Sequence, residues 1–208
     1  MHGFLALGDS YTIGEAVREP ERWPVQLAAA LRAHGIALDA PRIIATTGWT
    51  TDELSAAMDD TTFAPPYALV TLMIGVNNQY RGRDLHEYRE QFDTLLVRAI
   101  HLAGDDATRV IVLSIPDWGA TPFGHASGRE LAQVSAQIGA FNAAAHAQTS
   151  ARGAAWVDVT PVSREVANHP ELAAHDGLHP SAGMYARWVE LVLPVAELRL
   201  RKDAARTR

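Results

Sequence analysis

"YALVTLMIG", residues 67–75, runs through Ala68, Leu69, Val70, Leu72, Met73 and Ile74 with Thr71 as the only polar interruption. A strand with one wet face alternates apolar and polar side chains. A run this continuous reads as a strand covered on both faces, as in a parallel sheet held between helices. Outward from it the chain repeats the pattern in "GFLALG" (3–8), "RIIATT" (42–47), "RVIVLSI" (109–115) and "AAWVDV" (154–159).

The segments between these runs have helical periodicity. "PERWPVQLAAALRAHG" (20–35) sets Trp23, Leu27 and Leu31 four apart and ends on Gly35, a C-cap residue. Residues 84–103 open with Asp84 and Glu87 at capping-box spacing and align Leu85, Tyr88, Phe92, Leu95, Leu96, Ala99 and Ile100 before Gly104. A third helix is expected from Ser127, again with a capping-box start at Glu130, through Leu131, Val134, Ile138, Phe141 and Ala145. The last is expected from Ser181, presenting Met184, Trp188, Leu191, Val192, Val195 and Leu198, with a kink at Pro194. Parallel neighbours need crossovers, and those crossovers bury both faces of a sheet. The alternation therefore predicts an α/β fold of three layers, α/β/α, in a single domain over residues 1–200, followed by a basic tail, 201–208, that frays.

Composition removes several alternatives. With 18 Lys and Arg against 24 Asp and Glu, the net charge is −6, and the basic residues form no long block, so no nucleic-acid partner is expected. No cysteine is present, which excludes thiolate chemistry, disulfides and Cys-based metal sites. The opening "MHGFLALG" has no basic region or cleavage site, so a cytoplasmic location is expected; a secreted or periplasmic chain cut to its mature start would read the same. No apolar stretch approaches the ~20 residues that span a membrane.

In open parallel sheets ligands sit beyond the carboxyl ends of the strands. The residues found there are Gly8-Asp9-Ser10 after the first run, Thr47-Gly48-Trp49 after the second, Gly75-Val76-Asn77-Asn78 after the third, "PDWGATPFG" (116–124) after the fourth, and Asp176-Gly177-Leu178-His179-Pro180 after the fifth. A serine hydroxyl needs a base, the base needs a partner that holds its tautomer, and an oxyanion needs donors. Ser10, His179 and Asp176 can supply the first three parts. The spacing of Asp176 and His179 lets the carboxylate reach Nδ1 while Nε2 faces Ser10. The N–H groups of Ser10 and Gly48 and the Asn77 amide are the candidate donors.

These blocks, in this order along nearly the whole chain, resemble the SGNH hydrolases, the GDSL esterases and lipases. The resemblance implies a flavodoxin-like five-stranded parallel sheet, no metal or cofactor, and hydrolysis of carboxylic esters. It assigns Ser10 as nucleophile, His179 as base, Asp176 as its partner, and Ser10, Gly48 and Asn77 to the oxyanion hole. Asn78 stands where the family usually has Asp, and the bulky Trp49 follows Gly48 where a small residue is common. Asp9, Trp49, Asn78, Tyr80 and Trp118 are expected to contact substrate, with Phe123 nearby. Crowding by Trp49 favours short acyl esters over the alternatives of acetylated sugars, lysophospholipids and acyl thioesters.

Other readings compete. Gly-Asp-Ser by itself is an ordinary turn, and Asn77 by itself a strand-end residue. His169, His175, Asp176 and His179 have no metal-site spacing. The same architecture can bind FMN on a hydroxyl- and glycine-rich loop such as "SYTIGE" (10–15), and a catalytically silent lipid or carbohydrate binder would keep the fold. Neither gives Asp176 and His179 a task together.

Overall fold

The computed structural model describes residues 2–206. Five parallel strands, β1 (Phe4–Gly8), β2 (Pro41–Ala45), β3 (Leu69–Met73), β4 (Val110–Leu113) and β5 (Ala155–Val157), form one sheet in the order β2-β1-β3-β4-β5. Four of them lie inside the apolar runs of the sequence, and β2 starts one residue before its run, at Pro41. Every residue of β1, β3 and β4 is buried, as expected of central strands covered on both sides. In register, Gly8 lies opposite Met73, so β1 and β3 end level and hand their next residues to the same edge. A Cβ at Gly8 would sit 2.5 Å from the Met73 carbonyl oxygen and collide with Thr12, so this close approach requires glycine.

The helices are α1 (Ser10–Ile13), α2 (Trp23–Ala33), α3 (Thr51–Asp59), α4 (Val76–Tyr80), α5 (Leu85–Leu102), α6 (Pro122–Ala126), α7 (Leu131–Ala151), α8 (Thr160–Ser163) and α9 (Ala182–Arg206). On one side of the sheet α2 packs against α9, and on the other α5 packs against both α3 and α7, giving the three expected layers. Trp23, Leu27 and Leu31 of α2 and Tyr88, Phe92, Leu95, Leu96 and Ala99 of α5 are all buried, so the helical periodicities in the sequence name the core faces. Asp84 caps α5 by accepting from the N–H groups of His86 and Glu87.

One expectation is corrected. The third long helix starts at Leu131, not Ser127: Gly128 adopts φ 71°, which breaks helical continuation, and the Glu130 side chain caps the true start through the Ala132 N–H. The last helix continues to Arg206, into the segment expected to be a frayed tail. Arg201 anchors it by donating to the His34 carbonyl at 3.0 Å and lying near Glu197 one turn back. Residues 207–208 of that tail lie outside the described residues. No helix among the described residues is long and apolar enough to cross a membrane.

Chain order reverses between β1 and β3, where one crossover leads outward to β2 and the next returns past β1 to β3. A crevice opens at such a switch point beyond the strand ends.

Candidate active site

Ser10 is the first residue after the β1 turn and the first of α1. Asp9 N-caps this short helix: its Oδ1 accepts from the Tyr11 N–H at 3.1 Å, and its carbonyl accepts from Thr12 and Ile13 at 3.0 and 2.9 Å. Capping thus uses the N–H groups that follow Ser10. Among the described residues the Ser10 N–H has no protein partner, and neither has its hydroxyl. A phosphate-cradling loop needs several free N–H groups in a ring, so this arrangement disfavours the FMN reading.

The Asp176–His179 segment is a closed loop immediately before α9. Asp176 Oδ1 accepts from the N–H groups of Leu178 and His179 at 2.9 and 3.0 Å, and Oδ2 meets His179 Nδ1 at 2.6 Å. The loop is sewn shut by the Ala174 N–H donating to the His179 carbonyl at 2.7 Å and by a bridge pairing Ala173 with Pro180. Partial burial alone would raise the Asp176 carboxyl, but the hydrogen bonds from the His179 ring and from the two N–H groups outweigh it and hold the carboxyl below its ordinary range. An ionised Asp176 accepting from Nδ1–H leaves His179 Nε2 as the basic nitrogen.

The β2 tip turns sharply. The Trp49 N–H donates to the Thr46 carbonyl at 3.2 Å, and Gly48, third in the turn, has φ 90°. These are the signs of a type II turn, whose third position favours glycine. After β3, Asn77 on α4 donates through Nδ2 to the Trp49 carbonyl at 2.9 Å, which uses one of its two amide hydrogens and leaves the other free.

Ser10, Gly48, Asn77 and His179 all border one cleft of about 190 Å³, together with Tyr11, Thr47, Val76, Tyr80, Trp118, Phe123 and Leu178. The strand-end segments are therefore brought together as the sequence implies. Asp176 stands behind His179, with its side chain about one-third exposed. Among the described residues no hydrogen bond joins Ser10 to His179. Catalytic contacts are commonly loose without substrate and tighten in the complex.

The expected substrate contacts divide. Tyr80 and Trp118 line the cleft, their rings 5.4 Å apart at the centroids, and Trp118 donates from Nε1 to Gln79 Oε1 at 2.8 Å. Asp9, Asn78 and Trp49 do not line it. Asp9 is wholly buried beneath Ser10. Asn78 is also wholly buried, accepting from the Thr51 N–H at 3.1 Å and donating to Thr51 Oγ1 at 2.7 Å, so it ties the start of α4 to the start of α3. The Trp49 ring packs half-buried against the core, and only its carbonyl serves the site. The expectation that Trp49 crowds the acyl space is therefore replaced by walls from Val76, Trp118, Phe123 and Leu178. Tyr11, whose ring lies 5.6 Å from that of His179, was not foreseen; its place directly after Ser10 was the available signal.

Among the described residues no three His, Cys, Asp or Glu side chains gather into a group suited to a metal ion, and His169 instead faces Glu171. The sequence profile of the GDSL-like lipase/acylhydrolase family matches residues 6–187. Among solved structures, the lipase/acylhydrolase from Enterococcus faecalis superposes with a TM-score of 0.74 at 21% identity, covering 97% of this chain and 97% of its own. The acetylxylan esterase Axe2 from Geobacillus stearothermophilus superposes at 0.67 and 18% identity, over 96% of this chain and 94% of its own. An esterase from Pseudoalteromonas sp., solved with monoethylphosphonate as inhibitor, superposes at 0.69 and 14% identity, over 97% of this chain and 100% of its own. At such identities the structural likeness speaks for the fold. No curated protein matches the chain.

Proposed function

The chain belongs to the GDSL-like lipase/acylhydrolase family and is a serine hydrolase of ester bonds, and from that premise we propose that Ser10 is its nucleophile and short-chain acyl esters are its substrates. The Ser10 hydroxyl gives its proton to His179 Nε2 as Oγ bonds to the ester carbonyl carbon. The imidazolium, held by Asp176, returns that proton to the leaving alcohol as the C–O bond breaks, which leaves an acyl group on Ser10. Water then attacks the acyl carbon, His179 takes its proton and passes it to Ser10, and the acid departs. In both halves the carbonyl oxygen becomes an oxyanion, which the N–H groups of Ser10 and Gly48 and the spare Asn77 amide hydrogen stabilise.

One observation carries the proposal: Ser10, Gly48 and Asn77, from three separate strand ends, and His179, from the loop before α9, border a single cleft. The substrate preference rests on its size. Sites for drug-sized ligands occupy roughly 300–1,000 Å³, and this cleft is smaller and walled by large side chains. Acetylated sugars fit the same chemistry, since an acetyl group asks little of the acyl wall.

A series of p-nitrophenyl esters tests both parts. Turnover is expected to be highest from acetyl to butyryl and to fall at octanoyl, and Ser10→Ala is expected to abolish it throughout. Equal rates for wild type and Ser10→Ala would refute the nucleophile, and a rate rising with chain length would refute the acyl preference alone.

A further inference from the structure

We propose that Arg81 is a positioning residue that fastens the Gly48 loop to α4 and so holds two oxyanion donors, the Gly48 N–H and the Asn77 amide, at a fixed separation. The inference rests on the assignment of Gly48 and Asn77 to the oxyanion hole.

The Gly48 loop needs an external anchor. Thr46 and Thr47 are exposed, and among the described residues the turn is closed internally by the single Trp49 to Thr46 bond at 3.2 Å. Thr47 Oγ1 ties one side of it to the Glu15 carboxylate, and the anchor for the Gly48 side comes from α4. Arg81 follows that helix directly, its N–H still donating to the Asn77 carbonyl at 3.0 Å, and Asn77 and Arg81 stand four residues apart, on one face of the turn. From that face Asn77 grips the Trp49 carbonyl at 2.9 Å, and Arg81 Nη2 grips the Gly48 carbonyl at 2.6 Å. Two successive carbonyls of the loop are thus held by one short helix.

The Arg81 guanidinium holds a second point as well. Nη1 reaches Glu53 Oε1 at 3.2 Å, while Glu53 Oε2 accepts from the Thr50 N–H at 2.8 Å in the capping box of α3. Arg81 therefore braces the loop at Gly48 and at the carboxylate that receives it two residues later. A planar fork with several donors suits this double task, and a single ammonium can serve only one side of it at a time.

Placement is what an oxyanion hole supplies. Donors act on charge that develops in the transition state, and displacement of one costs rate without touching ground-state binding. The Gly48 carbonyl and the half-exposed Arg81 and Glu53 side chains all have water as an alternative partner, so the clamp contributes little to stability.

Steady-state kinetics on p-nitrophenyl acetate, beside urea unfolding, test the inference with Arg81→Ala, Arg81→Lys and Ser10→Ala. Arg81→Ala is expected to lower kcat by about tenfold to a hundredfold, less than the ~10²–10³ lost when a donor is deleted, with KM within about twofold of wild type and the urea midpoint unchanged. Arg81→Lys is expected to recover part of kcat. Wild-type kcat in Arg81→Ala, a loss carried by KM alone, or a loss that tracks a lowered urea midpoint and is not recovered by Lys would overturn it. Activity retained in Ser10→Ala would instead remove the assignment beneath it, so the two failures are told apart.

Discussion

Asp9 shows how much of a motif can be structural. The sequence places it beside the proposed nucleophile and suggests contact with substrate, yet it lies wholly buried, with Oδ1 on the Tyr11 N–H and, among the described residues, no hydrogen-bond partner for Oδ2. Burial is the main cause that pushes its carboxyl up from 3.8 to about 7, against the lowering effect of its backbone hydrogen bonds. Burial also raises the neighbouring phenols of Tyr11, Tyr88 and Tyr185, which remain neutral. Between these two pH values the folded chain holds a proton at Asp9 that the unfolded chain has lost. Stability from this group is complete below about pH 4 and declines as pH rises towards and through 7. Asp9→Asn keeps the cap acceptor and removes the charge. Its stability relative to wild type is expected to grow from pH 4 to pH 8 by up to about 4 kcal/mol at 1.36 kcal/mol per pKa unit, read from urea midpoints across that range. A difference that does not change with pH would contradict this. Sequence alone could name Asp9 but not its burial, because burial depends on how β1 and β3 meet at Gly8.

At the scale of elements, legibility followed length. The five strands show as continuous apolar runs, and α2, α5, α7 and α9 are long enough for their helical periodicity to show, whereas α1, α4, α6 and α8 span little more than one turn and leave no pattern. Of the proposed site residues, Ser10 and Asn77 sit on such short helices, and Gly48, Asp176 and His179 lie in turns and loops. Asn78 illustrates the cost: as a departure from the family's usual Asp it drew attention, but only the structure reveals that it joins α4 to α3. Its amide hydrogen meets Thr51 Oγ1, whose own hydrogen goes to Gln91 Oε1, while its oxygen takes the Thr51 N–H. A carboxylate there would lose the amide's hydrogen bond and bury a charge. Asn78→Asp is therefore expected to destabilise the protein at neutral pH by about 1–3 kcal/mol, with the loss shrinking as pH falls and the new carboxyl protonates. Urea unfolding at two pH values checks it, and an unchanged midpoint would show that the α3–α4 link tolerates an acid.

For the whole molecule, the sheet order explains why residues so far apart in the chain meet. With β1 central and flanked by β2 and β3, Ser10, Gly48 and Asn77 emerge side by side at the edge where chain order reverses, and the loop before α9 brings His179 to the same cleft. The sequence carried that convergence in the order of its strand-end blocks. It did not carry the cleft's walls, since Trp49 turns into the core while Tyr11 and Leu178 face the opening. The central claim is that Ser10 is the group that becomes acylated. Its most direct measurement is treatment with diethyl p-nitrophenyl phosphate, followed by intact-mass analysis and peptide mapping, in wild type and Ser10→Ala. One phosphoryl adduct is expected on the peptide containing Ser10, appearing in step with the loss of esterase activity, and none in Ser10→Ala. An adduct on another residue that accompanies inactivation, or full inactivation with Ser10 unmodified, would contradict it.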